Sequence, residues 1–285
     1  MTGTGTQQDP YIVDNWADFM TVNGSATATT YIKWADGGGL VDFNKVNHAG
    51  YTSAVTLKGQ LDFNGWIFMN YRCTGRIFGL DNNCTVNNLN FFNFYVQSAG
   101  DTDVIYYYAP YYYTVYLNNC KFSGMINSGG TGTSRFIYNQ FAYMDLSKCS
   151  ASITAVTKGD FVLTNNHQNT DFNGYCKVWS KNSTVPIIDG TSKNCYYKID
   201  HTPITADTTL AVGGGSNNIN NVYEVETGSQ INAVSVNGTA NLSLINKDRL
   251  PQGAAVTGAN VLAVTSAQLV NAAYLQSQGF SVGVA

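Results

Sequence analysis

A seven-residue phrase returns along this chain and restricts its fold more than any other feature. Its clearest copies are Asn64-Gly65-Trp66-Ile67-Phe68-Met69-Asn70 and Asn87-Asn88-Leu89-Asn90-Phe91-Phe92-Asn93. Two small or turn-forming residues come first. An apolar residue, a spacer and a second apolar residue follow, and an Asn or Gly often closes the phrase. With the first apolar residue as marker, the copies run Phe43, Trp66, Leu89, Cys120, Cys149, a weak copy at Phe172, then Cys195, Ile219 and Leu242. The steps are 23, 23, 31, 29, 23, 23, 24 and 23 residues. Phe68, Phe91, Phe122 and Ala151 lie two after their markers. Asn47, Asn70, Asn93 and Asn246 lie four after theirs.

Apolar residues two apart share one face of a strand. A strand this short cannot bury that face alone, whereas stacked copies form one continuous core. About 23 residues is the length of one coil of a right-handed parallel β-helix: short strands joined by turns. Nine coils at the inter-strand spacing make a rod of roughly 40 Å. Asn suits the tight turns, and stacked Asn forms hydrogen-bonded ladders. An ordinary β-sandwich is the alternative, but it does not explain the near-constant step. The expected fold is all-β: a right-handed parallel β-helix with short capping helices at both ends. An arm and helix occupy 1–39, the solenoid 40–246, and a linker and helix 247–285.

The capping helices have local signals. Asp14 can cap a short helix with Trp16, Phe19 and Met20 on one side, and Asp18 adds negative charge near its start. Val22-Asn23-Gly24 is a stop, and residues 24–39 read as a loop. Near the other end, Thr265 and Gln268 form a capping box, and Gly279 ends the helix. Leu269, Tyr274, Leu275 and Phe280 are the apolar side of this segment. They either cap the rod or dock onto a neighbour.

Composition narrows the function. Lys plus Arg is 15 against 18 for Asp plus Glu, so there is no basic footprint for nucleic acid. Only 12% of residues are charged, and the sole Glu residues are Glu224 and Glu226. The surface is therefore largely neutral and polar. No apolar stretch reaches membrane-span length. The six Cys form no CxxC, and three occupy marker positions, so they read as small buried residues. His48, His167 and His201 are scattered, and neither a metal site nor a cofactor is expected.

Parts of the chain resemble a known group. Gly5-Thr6-Gln7-Gln8-Asp9-Pro10-Tyr11-Ile12-Val13, followed by a helix, resembles the opening of many pectate-lyase-like β-helix surface proteins. Gly59-Gln60-Leu61-Asp62-Phe63-Asn64-Gly65 resembles their early coil, usually built on Leu-Asp-Gly-Asn-Gly, with Phe63 departing from the Gly. Phe78-Gly79-Leu80 leading to Val86-Asn87-Asn88-Leu89 resembles the next coil. The resemblance covers residues 3–96, and the later coils by period only. The segment 272–280 is similar to closing segments of some phage and gut-bacterial β-helix proteins. The resemblance implies architecture and no catalytic residue, because the fold hosts lyases, hydrolases, adhesins and virion parts alike.

The two long steps draw attention, since extra residues in a solenoid commonly protrude as loops on a binding face. The first zone holds Tyr106, Tyr107, Tyr108, Tyr111, Tyr112 and Tyr113. Tyrosines serve protein interfaces or sugar stacking. Alternatively, every second one packs inward. The second zone, Asn127 to Thr133, reads as a flexible loop. Asp101 and Asp103 suggest a sugar-cleaving pair or a calcium site. A solvated loop fits better, since no Arg or Lys lies near them in sequence. Asp62 and Asp81 read as turn residues.

The resulting expectation is a non-enzymatic bacteriophage virion protein: capsid decoration, head fibre or tail-associated rod. Met1 to Gly5 has neither a basic start nor an apolar run, which suits synthesis in the host cytoplasm. Expected partners are other virion proteins, further copies of itself in a homo-oligomer such as a trimer, and a host surface glycan, with no nucleic acid and no membrane. A polysaccharide-degrading enzyme, with Asp101, Asp103 or Asp145 paired in a cleft, and a non-catalytic glycan-binding adhesin are the alternatives.

Overall fold

The computed structural model describes residues 1–44, 54–108, 113–140, 143–214, 218–236 and 242–280, and their side chains apart from those at 108, 140, 143, 166–168, 218 and 219. The chain winds into a parallel β-solenoid with three faces. One coil shows the plan. Asn90–Ser98 lies on the first face, Asp103–Tyr108 on the second and Thr114–Asn118 on the third, and Lys121–Ser128 then returns to the first. Ten strands of the first face form one ladder from Leu40–Asp42 to Val261–Val264. The second and third faces merge through the long strand Asp160–Thr170.

The recurring phrase is the corner between the third and first faces. Six of these corners turn on one residue with left-handed backbone: Asn88, Asn119, Lys148, Asp171, Asn194 and Asn220, at φ between 52° and 58°. Asn adopts this conformation more readily than other side chains, which explains its recurrence. The next residue points inward, and Leu89, Cys120, Cys149, Phe172 and Cys195 are all buried there. Phe172 is thus a full member of the series. All six Cys are free and buried.

Strand register corrects three markers. Leu40 pairs with Ile67, so Gly39, not Phe43, stands opposite Trp66. Tyr196 pairs with Val222 and Val222 with Leu244. The residues equivalent to Cys195 are therefore Asn221 and Ser243, not Ile219 and Leu242. The Asn four after the marker has its own cause. Asn70 and Asn93 are left-handed at a bend of the first face. Asn93 Nδ2 donates to Asn70 Oδ1 at 2.6 Å, and Asn70 Nδ2 donates to Asp42 Oδ1 at 2.7 Å. A second ladder runs from Asn119 to Asn88 to Asp62, at 2.8 and 2.9 Å. Asn47 lies outside the described residues.

Inward residues two after the buried marker residue stack into one column. Phe68, Phe91, Phe122, Ala151, Gly174, Tyr197, Tyr223 and Ile245 follow one another in register. A Cβ on Gly174 would come within 2.9 Å of both Leu163 and Tyr197, so the large ring beside it requires Gly. Burying each large side chain of this column contributes about 1.5–3 kcal/mol.

The ends differ from expectation in detail. The first helix runs Trp16–Ser25, and its N-cap is Asn15, whose side chain accepts from the Asp18 amide. The helix continues past Gly24 because Asn23 faces inward. Asn23 Nδ2 donates to Thr56 O at 2.7 Å, and Lys58 N donates to Asn23 Oδ1 at 3.0 Å. The side-chain amide thus covers the edge of Val55–Leu57. The segment read as a loop contains the strand Tyr31–Trp34, which pairs with Tyr11–Val13 and Gln60–Asp62. Beyond Asn246, Ala255–Thr257 and Val261–Val264 add rungs to the second and first faces.

The capping box of Thr265 and Gln268 forms, but the helix is split into Ser266–Leu269 and Ala272–Ser277, with Asn271 capping the second piece. Gly279 is left-handed just after it. Leu275 and Phe280 are buried on Leu244 and Val264, with Leu269 and Tyr274 packed beside them. These four residues cap the solenoid.

Candidate functional site

Outward positions of the first face build the main concavity. Residues one and three after the buried marker residue point outward and stack rung on rung. One row runs Asn90, Lys121, Ser150, Asn173 and Tyr196. The other runs Ser123, Ser152, Tyr175, Lys198 and Glu224. The middle rungs carry serines and the flanking rungs carry rings. The result is a groove of about 680 Å³ with Phe92 at one end, Tyr175 and Tyr196 at the other, and Ser123, Ser150 and Ser152 as its floor. Rungs follow one another at about 4.8 Å, so the walls at Phe92 and Tyr175 stand roughly 14 Å apart.

The chemistry of the lining is that of a binding surface. Tyr175 and Tyr196 are exposed aromatic residues of the lining. Partial burial pushes both phenols above their ordinary value. The Asp200 charge adds to this at Tyr175, and the neighbouring Glu224 carboxylate at Tyr196. Both therefore stay neutral and able to donate. Lys121 and Lys198 are the charged residues of the lining, and no carboxylate lines it. The Lys198 ammonium lies 5.9 Å from the Tyr175 ring centroid.

A smaller pocket of about 120 Å³ adjoins the groove, lined by Tyr175, Lys198, Asp200, Glu224, Glu226 and Arg249. Its ion pairs are loose: Lys177 to Asp200 and Arg249 to Glu226, each at 3.9 Å. Among the described residues, no group of three His, Cys, Asp or Glu side chains is placed to hold a metal ion.

The tyrosines singled out from sequence are dispersed. Tyr107 points into the core and is fully buried, which pushes its phenol up to about 12. Tyr106 lies on the outer second face, 5.6 Å from Tyr138 between ring centroids, with the Arg76 guanidinium 3.7 Å from its own. Tyr113 is half-buried against the core. Tyr108 ends the strand Asp103–Tyr108, and its side chain is outside the described set. Tyr111 and Tyr112 lie outside the described residues. The alternation from Ile105 to Tyr107 is that of an ordinary strand with one face buried.

The second long step adds strand rather than a protruding loop. Lys121–Ser128 and Thr133–Gln140 take most of its residues, leaving a short turn over Gly129–Gly132. That turn stacks on the previous coil. Gly129 N donates to Ser98 O at 2.9 Å, and Gly132 N to Asp101 Oδ1 at 3.1 Å.

The nearby acids are also structural. Asp103 pairs with Arg135 at 3.0 Å, because the coil brings together residues 32 apart in sequence. Asp145 sits on the third face and Asp103 on the second, so they do not converge in one cleft. Asp62 and Asp81 accept the amides of Asn64 and Asn82, as turn residues do.

Neither a protein-family model nor a curated protein sequence matches the chain. The structure defines its class as a parallel β-solenoid.

Proposed function

We propose that the protein is a non-enzymatic attachment rod that holds a saccharide in the groove of its first face. One observation carries this reading: exposed Tyr175 and Tyr196 end a floor of Ser123, Ser150 and Ser152. Rings stack on the apolar faces of sugars, while serine, asparagine and neutral phenol groups exchange hydrogen bonds with hydroxyls. Glycoside hydrolysis normally needs a pair of carboxyl groups flanking the bond, and this lining has none.

A rigid solenoid with both ends covered presents such a face without pairing edge to edge. That suits a bacteriophage component exposed at the particle surface and touching a host glycan. Detection of the chain in purified particles by mass spectrometry checks this setting, and its absence there removes it.

The binding reading has its own test. On an array of bacterial-surface oligosaccharides, the wild-type protein is expected to bind a defined subset. Tyr175→Ala and Tyr196→Ala should each weaken that binding by about tenfold, the scale of one lost stacking contact. Reducing-end assays on the bound oligosaccharides should stay at background. A blank array defeats the reading, and release of new reducing ends defeats its non-enzymatic part.

A further inference from the structure

We infer that the saccharide held by the groove carries negatively charged groups, read by Lys121 and Lys198. This rests on the saccharide reading of the groove and names its ligand class.

The argument begins with charge placement. The chain as a whole carries a net charge of -3, yet the groove lining has two lysines and no acid. Both lysines are exposed outward residues of the first face. Carboxylates stand near Lys198 in the adjoining pocket, and Asp200 and Glu226 each have a basic partner of their own. Asp200 faces Lys177 and Glu226 faces Arg249, each at 3.9 Å, while Glu224 stands beside Lys198 on the next rung, outside the groove lining. Among the described residues, neither Lys121 nor Lys198 has a carboxylate within 4.0 Å. The acids thus lie beside the groove and not in its lining, where the two ammonium groups are the charged groups present.

Geometry adds a length. Lys121 and Lys198 lie on strands three rungs apart, separated by Ser150–Thr157 and Asn173–Ser180. Three rungs span about 14 Å along the rod. Between them lie Ser150 and Ser152 and the outward Asn173 and Tyr175. An oligosaccharide crossing the rungs meets an ammonium near each end and neutral hydrogen-bonding groups between. The fit is therefore to an oligosaccharide with anionic groups on separate residues.

The test compares binding of four probe sets: uronate-containing oligosaccharides, phosphodiester-linked oligosaccharides, carboxyl-reduced counterparts of the first set, and neutral oligosaccharides. The full-length protein should bind an anionic set and lose affinity as salt rises. Lys121→Gln and Lys198→Gln should each weaken it by roughly tenfold, the scale of one charge-assisted hydrogen bond. Lys198→Arg should retain it. Preference for the uronate or the phosphodiester set identifies the anion. Equal binding of carboxyl-reduced or neutral probes, or full affinity in the double Lys→Gln variant, overturns this inference and leaves the saccharide reading standing. If no probe binds the wild type, both fall.

Discussion

Asn182→Ala is expected to lower the unfolding free energy by about 4 kcal/mol, through several buried hydrogen bonds lost together. Asn182 is fully buried and its backbone is left-handed, at φ 44°. Its side chain takes the place of a missing strand. Asn182 Oδ1 accepts the Phe161 amide at 3.0 Å, and Nδ2 donates to Phe161 O at 2.8 Å and to Val185 O at 2.7 Å. Ser180 Oγ donates to the same Oδ1. Phe161 needs this help because the next strand, Ile188–Lys193, takes up the ladder only from Thr164 onward. Alanine leaves an amide, two carbonyls and a hydroxyl without partners in the interior, each costing about 1–3 kcal/mol before relaxation.

Asn182→Gly separates the two causes. Glycine accepts the backbone angle, so it should be more stable than the alanine variant by about 1 kcal/mol. Urea titration measures the loss. Hydrogen exchange locates it, and protection should fall first at Phe161 to Leu163 and at Ile187. Solenoid coils unfold semi-independently, so the local readout is the sharper one. A loss below about 1 kcal/mol in the alanine variant would show that water or a shifted backbone replaces the amide.

The same device recurs at Asn23 and Asn221. Asn221 accepts the Cys195 amide at 3.0 Å and donates to Ser192 O at 3.1 Å. Sequence reasoning found the solenoid because a 23-residue step and inward positions two apart are one-dimensional signals. It anticipated Asn as corner and ladder former. It did not anticipate Asn as substitute strand, since a buried amide and an exposed one look alike in a sequence. The period alone misplaces Phe43, Ile219 and Leu242 for a related reason. The first and last coils have irregular lengths, and only the pairing of Leu40 with Ile67 and of Val222 with Leu244 reveals the register.

The groove had a signal that the tyrosine run obscured. Once Cys120, Cys149, Phe172 and Cys195 are taken as inward, the residues one and three later must face outward together. They are Lys121, Ser123, Ser150, Ser152, Asn173, Tyr175, Tyr196 and Lys198. The Tyr-rich zone stands out by composition, yet a strand with one buried face sends Tyr107 inward and Tyr106 outward. Period places a residue on a face, whereas composition does not.

The second large effect belongs to the N-terminal end. Trp34→Ala should cost about 3–5 kcal/mol, the range for truncating a buried large aromatic side chain. Trp34 is 1% exposed. Its ring centroid lies 4.8 Å from Phe68 and 4.9 Å from Trp66, with Phe19 and Phe63 at 5.7 and 6.2 Å. It therefore joins the first helix, through Phe19, to the first and third faces. The indole Nε1 is buried and meets no acceptor among the described residues. Trp34→Phe keeps most of the ring contacts and removes that stranded donor, so it should cost far less, about 1 kcal/mol. Loosening the helix also bares the edges of the first rungs, which are templates for pairing with other chains. Size-exclusion chromatography with light scattering should then show association in Trp34→Ala and a clean wild-type profile in Trp34→Phe. Equal losses of stability in the two variants would mean that the indole N–H matters and that the aromatic cluster is not what holds the cap.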